Sequence, residues 1–148
     1  MLTALIMLLS GPVVSSELRF ASVTDSRTGL AIYGFDPVEY FAAGRAAPGL
    51  PAHEYAGAGS TWRFRNDGNR AAFAASPDVY APAFGGHDPT AIGSGLARPG
   101  NPLIWTIHKG QLFLFESERS RAGFLGDPEM SLNIARARWP AAAKLLDF

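Results

Sequence analysis

Fifty-one residues after WRFRNDGNRAAFAASPD begins at Trp62, FLFESERSRAGFLGDPE begins at Phe113, and the two stretches align without a gap. Phe64 matches Phe115, Arg70 matches Arg121, Phe73 matches Phe124 and Pro77 matches Pro128. Upstream, Gly59 and Gly110 keep the same spacing. A repeat of this kind leaves few architectures open. Each unit is expected to be a β-hairpin, a helix, and a second helix started by proline. Two units are too few for a solenoid. They predict one small α+β domain, pseudo-symmetric, whose hairpins meet and whose helices pack on one face.

Local patterns support those elements. Thr61 to Arg65 alternates, which puts Trp62 and Phe64 on one strand face and the arginines on the other. Leu103 to Ile107 and Leu112 to Phe115 flank His108-Lys109-Gly110-Gln111, a hairpin with a short glycine turn. His53 to Tyr55 and Thr61 to Arg65 flank Ala56 to Ser60 in the same way. Trp62, Trp105 and Trp139 stand among apolar neighbours and are expected in the core. Alanine-rich 70–75 is strongly helical. Helix starts are expected at Asp36-Pro37, Ser76-Pro77, Asp88-Pro89 and Asp127-Pro128, where an Asp or Ser side chain accepts from a first-turn N–H and proline fits the first helical position. Glu39, three residues after Asp36, completes a capping-box pattern and predicts a short helix over 37–43, ended by Gly44.

Composition narrows the functional classes. Of 148 residues 47% are hydrophobic and 18% charged, which suits a folded core rather than disorder. Thirteen basic and 13 acidic residues give no global field to steer the chain toward nucleic acid. The pairs Arg63/Arg65 and Arg136/Arg138 read as solvated faces. With no cysteine, disulfides, thiolate zinc sites and a cysteine nucleophile are all excluded. The opening MLTALIMLL, broken by Ser10-Gly11-Pro12 and followed by small residues, resembles a signal peptide. It is far shorter than the ~20 residues of a membrane span. The expected organisation is a signal peptide over 1–16, cleaved after Ser16, and a mature domain over 17–148 in the periplasm or secreted.

Chemistry-bearing residues are few. The stretch Phe84 to Pro102, FGGHDPTAIGSGLARPGNP, is the least regular part of the mature chain; surface loops of this kind often carry function, and a plain connector fits the pattern equally well. Within it His87 and Asp88 are the best polar pair. His87 could donate an imidazole to a metal, with Asp88 as second ligand or orienting partner, although Asp88 also has the setting of an N-cap. His53 and His108 stand at different repeat positions, and no His-x-His or His-x-x-x-His spacing links the three histidines. Met130 reads as core rather than as a thioether ligand. Ser94 in Ile-Gly-Ser-Gly lacks the preceding strand that a nucleophile elbow requires. Glu116 and Glu118 fall at a strand-to-helix junction, where solvation explains them. No catalytic apparatus is readable, so the chain is not expected to be an enzyme.

YGFDPVEYF at Tyr33 to Phe41, the helix at Asn69 to Phe73, Pro-Asp-Val-Tyr-Ala-Pro at 77–82 and Phe-Gly-Gly at 84–86 together resemble the YHS-domain family, and the C-terminal unit closing in Arg138-Trp139-Pro140 is similar to that of its small exported members. The resemblance implies a small α+β fold and an association with heavy metals, copper especially. Many relatives carry Gly-Gly-Tyr-Cys where this chain reads Gly85-Gly86-His87-Asp88. Asp88 is a hard oxygen donor, which puts a thiolate copper site in doubt. The expectation is an exported, non-enzymatic binding or accessory protein that handles copper or zinc through His87 and Asp88. The alternative is a metal-free interaction module that docks a periplasmic protein through the 84–102 loop and the aromatic hairpins. Neither reading involves nucleic acid or a membrane span in the mature chain.

Overall fold

The computed structural model describes residues 22–146, so the expected signal peptide lies outside the described residues. The order is α1 (Glu39–Ala42), β1 (Leu50–Gly57), β2 (Ser60–Phe64), α2 (Asp67–Ala75), α3 (Pro77–Tyr80), α4 (Pro89–Gly93), β3 (Asn101–His108), β4 (Gln111–Phe115), α5 (Glu118–Gly126) and α6 (Pro128–Ala143). This is an α+β domain with two separate two-stranded antiparallel sheets, β1–β2 and β3–β4. No helix of the described residues is long and apolar enough to cross a membrane.

Both hairpins close through two residues with positive φ, Ala58-Gly59 (49° and 77°) and Lys109-Gly110 (48° and 76°). That is the turn whose twist matches the strands it joins. Each ladder is interrupted at one place: Leu50 pairs with Phe64 but Glu54 with Arg63, and Asn101 pairs with Phe115 but Trp105 with Leu114. The longer strand therefore arches away from its partner near its start.

Packing organises around the helices that follow the hairpins. Phe73 of α2 lies against Trp62 and Phe64, with ring centroids 4.7 and 5.3 Å away. Phe124 of α5 lies against Phe113 and Phe115 at 5.2 and 5.3 Å. All six rings are essentially inaccessible to water. The helices do not share one face, as the sequence suggested. Leu112 and Leu114 of β4 join the first core, with Trp62, Phe64, Phe73 and Tyr40, while Phe113 and Phe115 face α5 and Leu132 of α6. β4 is thus buried on both faces and forms a middle layer. Of the tryptophans only Trp62 is fully buried; Trp105 and Trp139 are half-buried at the margins of their clusters.

Two capping expectations fail. Ser76 makes no side-chain cap; its own N–H closes α2 on the carbonyls of Ala72 and Phe73. Glu39 does not reach back to the N–H of Asp36, which donates to Ala47 O instead. Its carboxylate accepts from Asn69 Nδ2 (3.1 Å) and Arg45 Nε (3.1 Å).

Candidate functional site

Asp36 and Asp88 do more than cap. Asp36 Oδ1 accepts the N–H groups of Val38 (2.8 Å) and Glu39 (3.4 Å), and its Oδ2 accepts from Arg65 N and Asn69 Nδ2, both at 2.7 Å. Asp88 Oδ1 accepts from Thr90 (2.7 Å) and Ala91 (3.3 Å), and its Oδ2 from Glu116 N (2.8 Å). Each carboxylate ties the start of a short helix to the end of a strand, and both are fully buried. A buried carboxylate is tolerated when donors surround it.

A tight turn precedes each aspartate. Ile32–Gly34 and Ala83–Gly86 both run through left-handed backbone: φ is 42°, 57° and 77° at Ile32, Tyr33 and Gly34, and 54°, 61° and 88° at Phe84, Gly85 and Gly86. Each turn is then clasped by a later segment. Gly49 N donates to Gly34 O (2.8 Å) and Gly100 N to Gly86 O (2.9 Å). Neither Gly49 nor Gly100 has room for a side chain.

His87 follows the second turn. Its Nδ1 stands 2.9 Å from Phe84 O, and its ring lies 5.4 Å from that of Trp139. Only 5% of the residue is exposed. Burial lowers the imidazole pKa, partly opposed by the hydrogen bond to Phe84. The three histidines do not converge. His53 Nδ1 pairs with Asp67 (3.1 Å) and His108 Nε2 with Glu129 (2.9 Å). Among the described residues no group of three or more His, Asp or Glu is placed to hold a metal ion. Both oxygens of Asp88 accept backbone N–H groups, so its carboxylate serves as a buried cap and tie.

An open groove lies elsewhere. A groove of about 370 Å³ runs between the first turn and the start of β3, lined by Tyr33, Phe35, Pro99, Asn101, Pro102 and Leu103. Its far wall is the end of the 84–102 loop. That wall is held from beneath by the Tyr40 hydroxyl, which donates to Pro102 O (2.9 Å) in a buried contact, with the Tyr40 ring edge-on to Trp105 at 5.1 Å. Burial, then the nearby Asp36, raises the Tyr40 pKa far above its ordinary value, so the phenol keeps its proton. At the rim, Leu103 is 62% and Tyr33 42% exposed. No Asp, Glu, Lys, Arg or His lines the groove.

Reasoning from sequence missed Tyr33, Phe35 and Leu103 as site residues. One signal was there to find. Ile-Tyr-Gly before Phe35-Asp36-Pro37 and Phe-Gly-Gly before His87-Asp88-Pro89 are 52 positions apart, with tyrosine in one where glycine stands in the other. No family model matches this chain, and no curated protein or solved structure matches it either.

Proposed function

We propose that this protein is an exported, non-enzymatic recognition module that docks an uncharged partner segment in the Tyr33–Leu103 groove. One observation carries the reading: two large apolar side chains stand exposed at the rim of a concave, charge-free site built on a buried framework. Its volume falls in the range of about 300–1,000 Å³ usual for ligand sites. It also borders the Gly- and Pro-rich 84–102 loop. The test is selection of peptides from a random display library on the whole chain. Selected peptides should be uncharged and should lose binding to a Leu103→Asp variant. Selection of charged peptides, or binding that survives this substitution, would overturn the groove reading.

A copper or zinc role for His87 is the second reading. It is favoured by the Nδ1 contact to Phe84 O, the second-sphere bond that commonly orients a metal-binding imidazole with Nε2 toward the ion. Metal analysis of chelator-free protein, repeated on His87→Ala, tests it. No stoichiometric metal, or metal retained by the variant, would end it.

A further inference from the structure

The longer strand of each hairpin has a free outer edge, and the two edges are finished differently. In the first hairpin Tyr55 pairs with Trp62, Ala56 with Thr61 and Glu54 with Arg63. Successive antiparallel pairs alternate between residues that exchange N–H···O bonds and residues whose N–H and C=O point away from each other. Thr61 O accepts the N–H of Ala31 (2.8 Å), and Leu30 runs parallel against Thr61. Thr61 thus turns its backbone away from β1, and Ala56 opposite it turns away from β2, as does Glu54 two positions back. The outer edge of β2 is covered by Leu30 and Ala31. Among the described residues nothing bonds the outward N–H and C=O of Glu54 or Ala56. In the second hairpin Trp105 stands at the place of Glu54, and its carbonyl accepts from Arg121 (3.4 Å). Arg70, the counterpart of Arg121, pairs with Asp67 (2.8 Å) and leaves the β1 edge bare. A bare edge is a template for another strand.

We infer that β1 docks a second copy of this chain through the same edge, antiparallel, with Glu54 opposite Ala56 of the second copy and Tyr55 opposite Tyr55. The sheet then runs β2–β1–β1–β2. Two strands alone make a marginal sheet, which pairing of this kind relieves. Charge and backbone select the register. Glu54 is neutralised by Arg63 of its own hairpin (2.7 Å) and meets only a methyl group across the new ladder. A slip of two positions one way would set Glu54 directly against Glu54, an unfavourable like-charge pair. The same slip the other way runs Glu54 onto Ala58, whose positive φ of 49° ends the strand. A slip of one position would turn the outward groups of one copy against the inward groups of the other. On the opposite face Tyr55 lies half-buried and edge-on to Phe73 at 6.0 Å. There it meets Tyr55 of the second copy at a non-hydrogen-bonded place, where side chains approach most closely. His53 falls opposite Gly57, which has no side chain to oppose it. No proline interrupts 53–57. The strand that this edge calls for is therefore β1 itself, and the inference is independent of the groove.

The test is sedimentation equilibrium of the whole chain over roughly 0.01–1 mM, the range suited to a small interface, with amide hydrogen exchange followed across the same series. Dimers are expected. The Glu54 and Ala56 amides should exchange more slowly as concentration rises, while the Tyr55 amide, already bonded within the hairpin, should change little. Ala56→Glu, at an exposed position, should weaken dimerisation at least tenfold, because it sets a carboxylate against Glu54 of the second copy. Ala56→Lys, at the same place, should not weaken it. Ala56→Pro removes the outward N–H without touching a bond between β1 and β2, and supplies a second loss-of-association variant. A monomer throughout the range would overturn the inference. So would dimers without protection at Glu54 and Ala56, or equal effects of the Glu and Lys substitutions. Protection of those two amides only in complex with a different protein would overturn the choice of a second copy.

Discussion

Asp36 and Asp88 hold equivalent positions in two separate pieces of structure. Each caps a short helix with one oxygen (Val38 N at 2.8 Å, Thr90 N at 2.7 Å) and with the other receives the N–H at the end of a strand (Arg65 at 2.7 Å, Glu116 at 2.8 Å). In sequence those strand ends are 29 and 28 residues away. Each carboxylate therefore joins a turn to a hairpin.

The first prediction concerns these carboxylates. Asp88→Ala leaves three backbone N–H groups without their acceptor, at a site with no exposure. Unsatisfied buried donors cost ~1–3 kcal/mol each, and partial relaxation should hold the total to roughly 3–4 kcal/mol. Asp127, whose side chain caps α6 at Met130 N in an exposed setting, should cost only ~1 kcal/mol on the same change. Urea denaturation of the two variants checks the ranking. Equal costs would show that Asp88 acts as an ordinary cap.

Phe73→Ala and Phe124→Ala should each cost ~3–5 kcal/mol, the usual range for a buried phenylalanine. Their rings belong to different clusters on opposite faces of β4. In the double variant the two losses should add to within ~0.5 kcal/mol. If either single loss falls below ~1 kcal/mol, its cluster does not support the fold as described.

Gly100→Ala tests the clasp beneath the groove. An added Cβ would stand 2.5 Å from Leu114 Cβ and 2.7 Å from Gly86 O, neither of which is a flexible tip. Overpacking of this kind costs ~1–3 kcal/mol. Gly123→Ala, with nothing within 4 Å of its added Cβ, should be neutral or stabilising in the interior of α5. Thermal melts of the pair give the answer, and equal melting temperatures would contradict the close approach at Gly100.

A pH dependence follows from His87. Its folded pKa lies below the ordinary 6.5 because burial disfavours the imidazolium. A group with a depressed folded pKa adds stability that is present above the unfolded pKa and lost as pH falls through the folded one. Acidification from 6.5 downward should thus destabilise the wild type by a term that His87→Phe removes. Trp139 fluorescence should change in the same window, since its ring lies against His87. Identical pH profiles for the two proteins would show that His87 takes its charge without penalty.

The parts of this fold that could be read from sequence are those encoded locally. Alternation in Thr61–Arg65, glycine at Gly59 and Gly110, and the Asp-Pro starts at Asp88 and Asp127 each act within a few residues, and each is found near its expected place. The layering was harder. Leu112–Phe115 is a continuous apolar run, the pattern of a strand covered on both sides, and the matching Thr61–Phe64 alternates. Reading the two as equals hid that difference. The groove had no local code at all. Isoleucine and tyrosine are poor predictors of left-handed backbone, and Ile32 and Tyr33 adopt it because later segments hold them there. Glu39 was assigned to its own helix end, but its partner Asn69 is 30 residues away.

The middle position of β4 fixes an order of events as the chain is made. Ile32, Tyr40 and Trp62 share a core with Leu112 and Leu114, so the N-terminal half has no complete cover of its own. A ribosome delivers residues 22–100 well before that cover, and during the interval the apolar seat for β4 stays open to solvent or to whatever else can shield it. The first core cannot be completed until Leu114 has emerged.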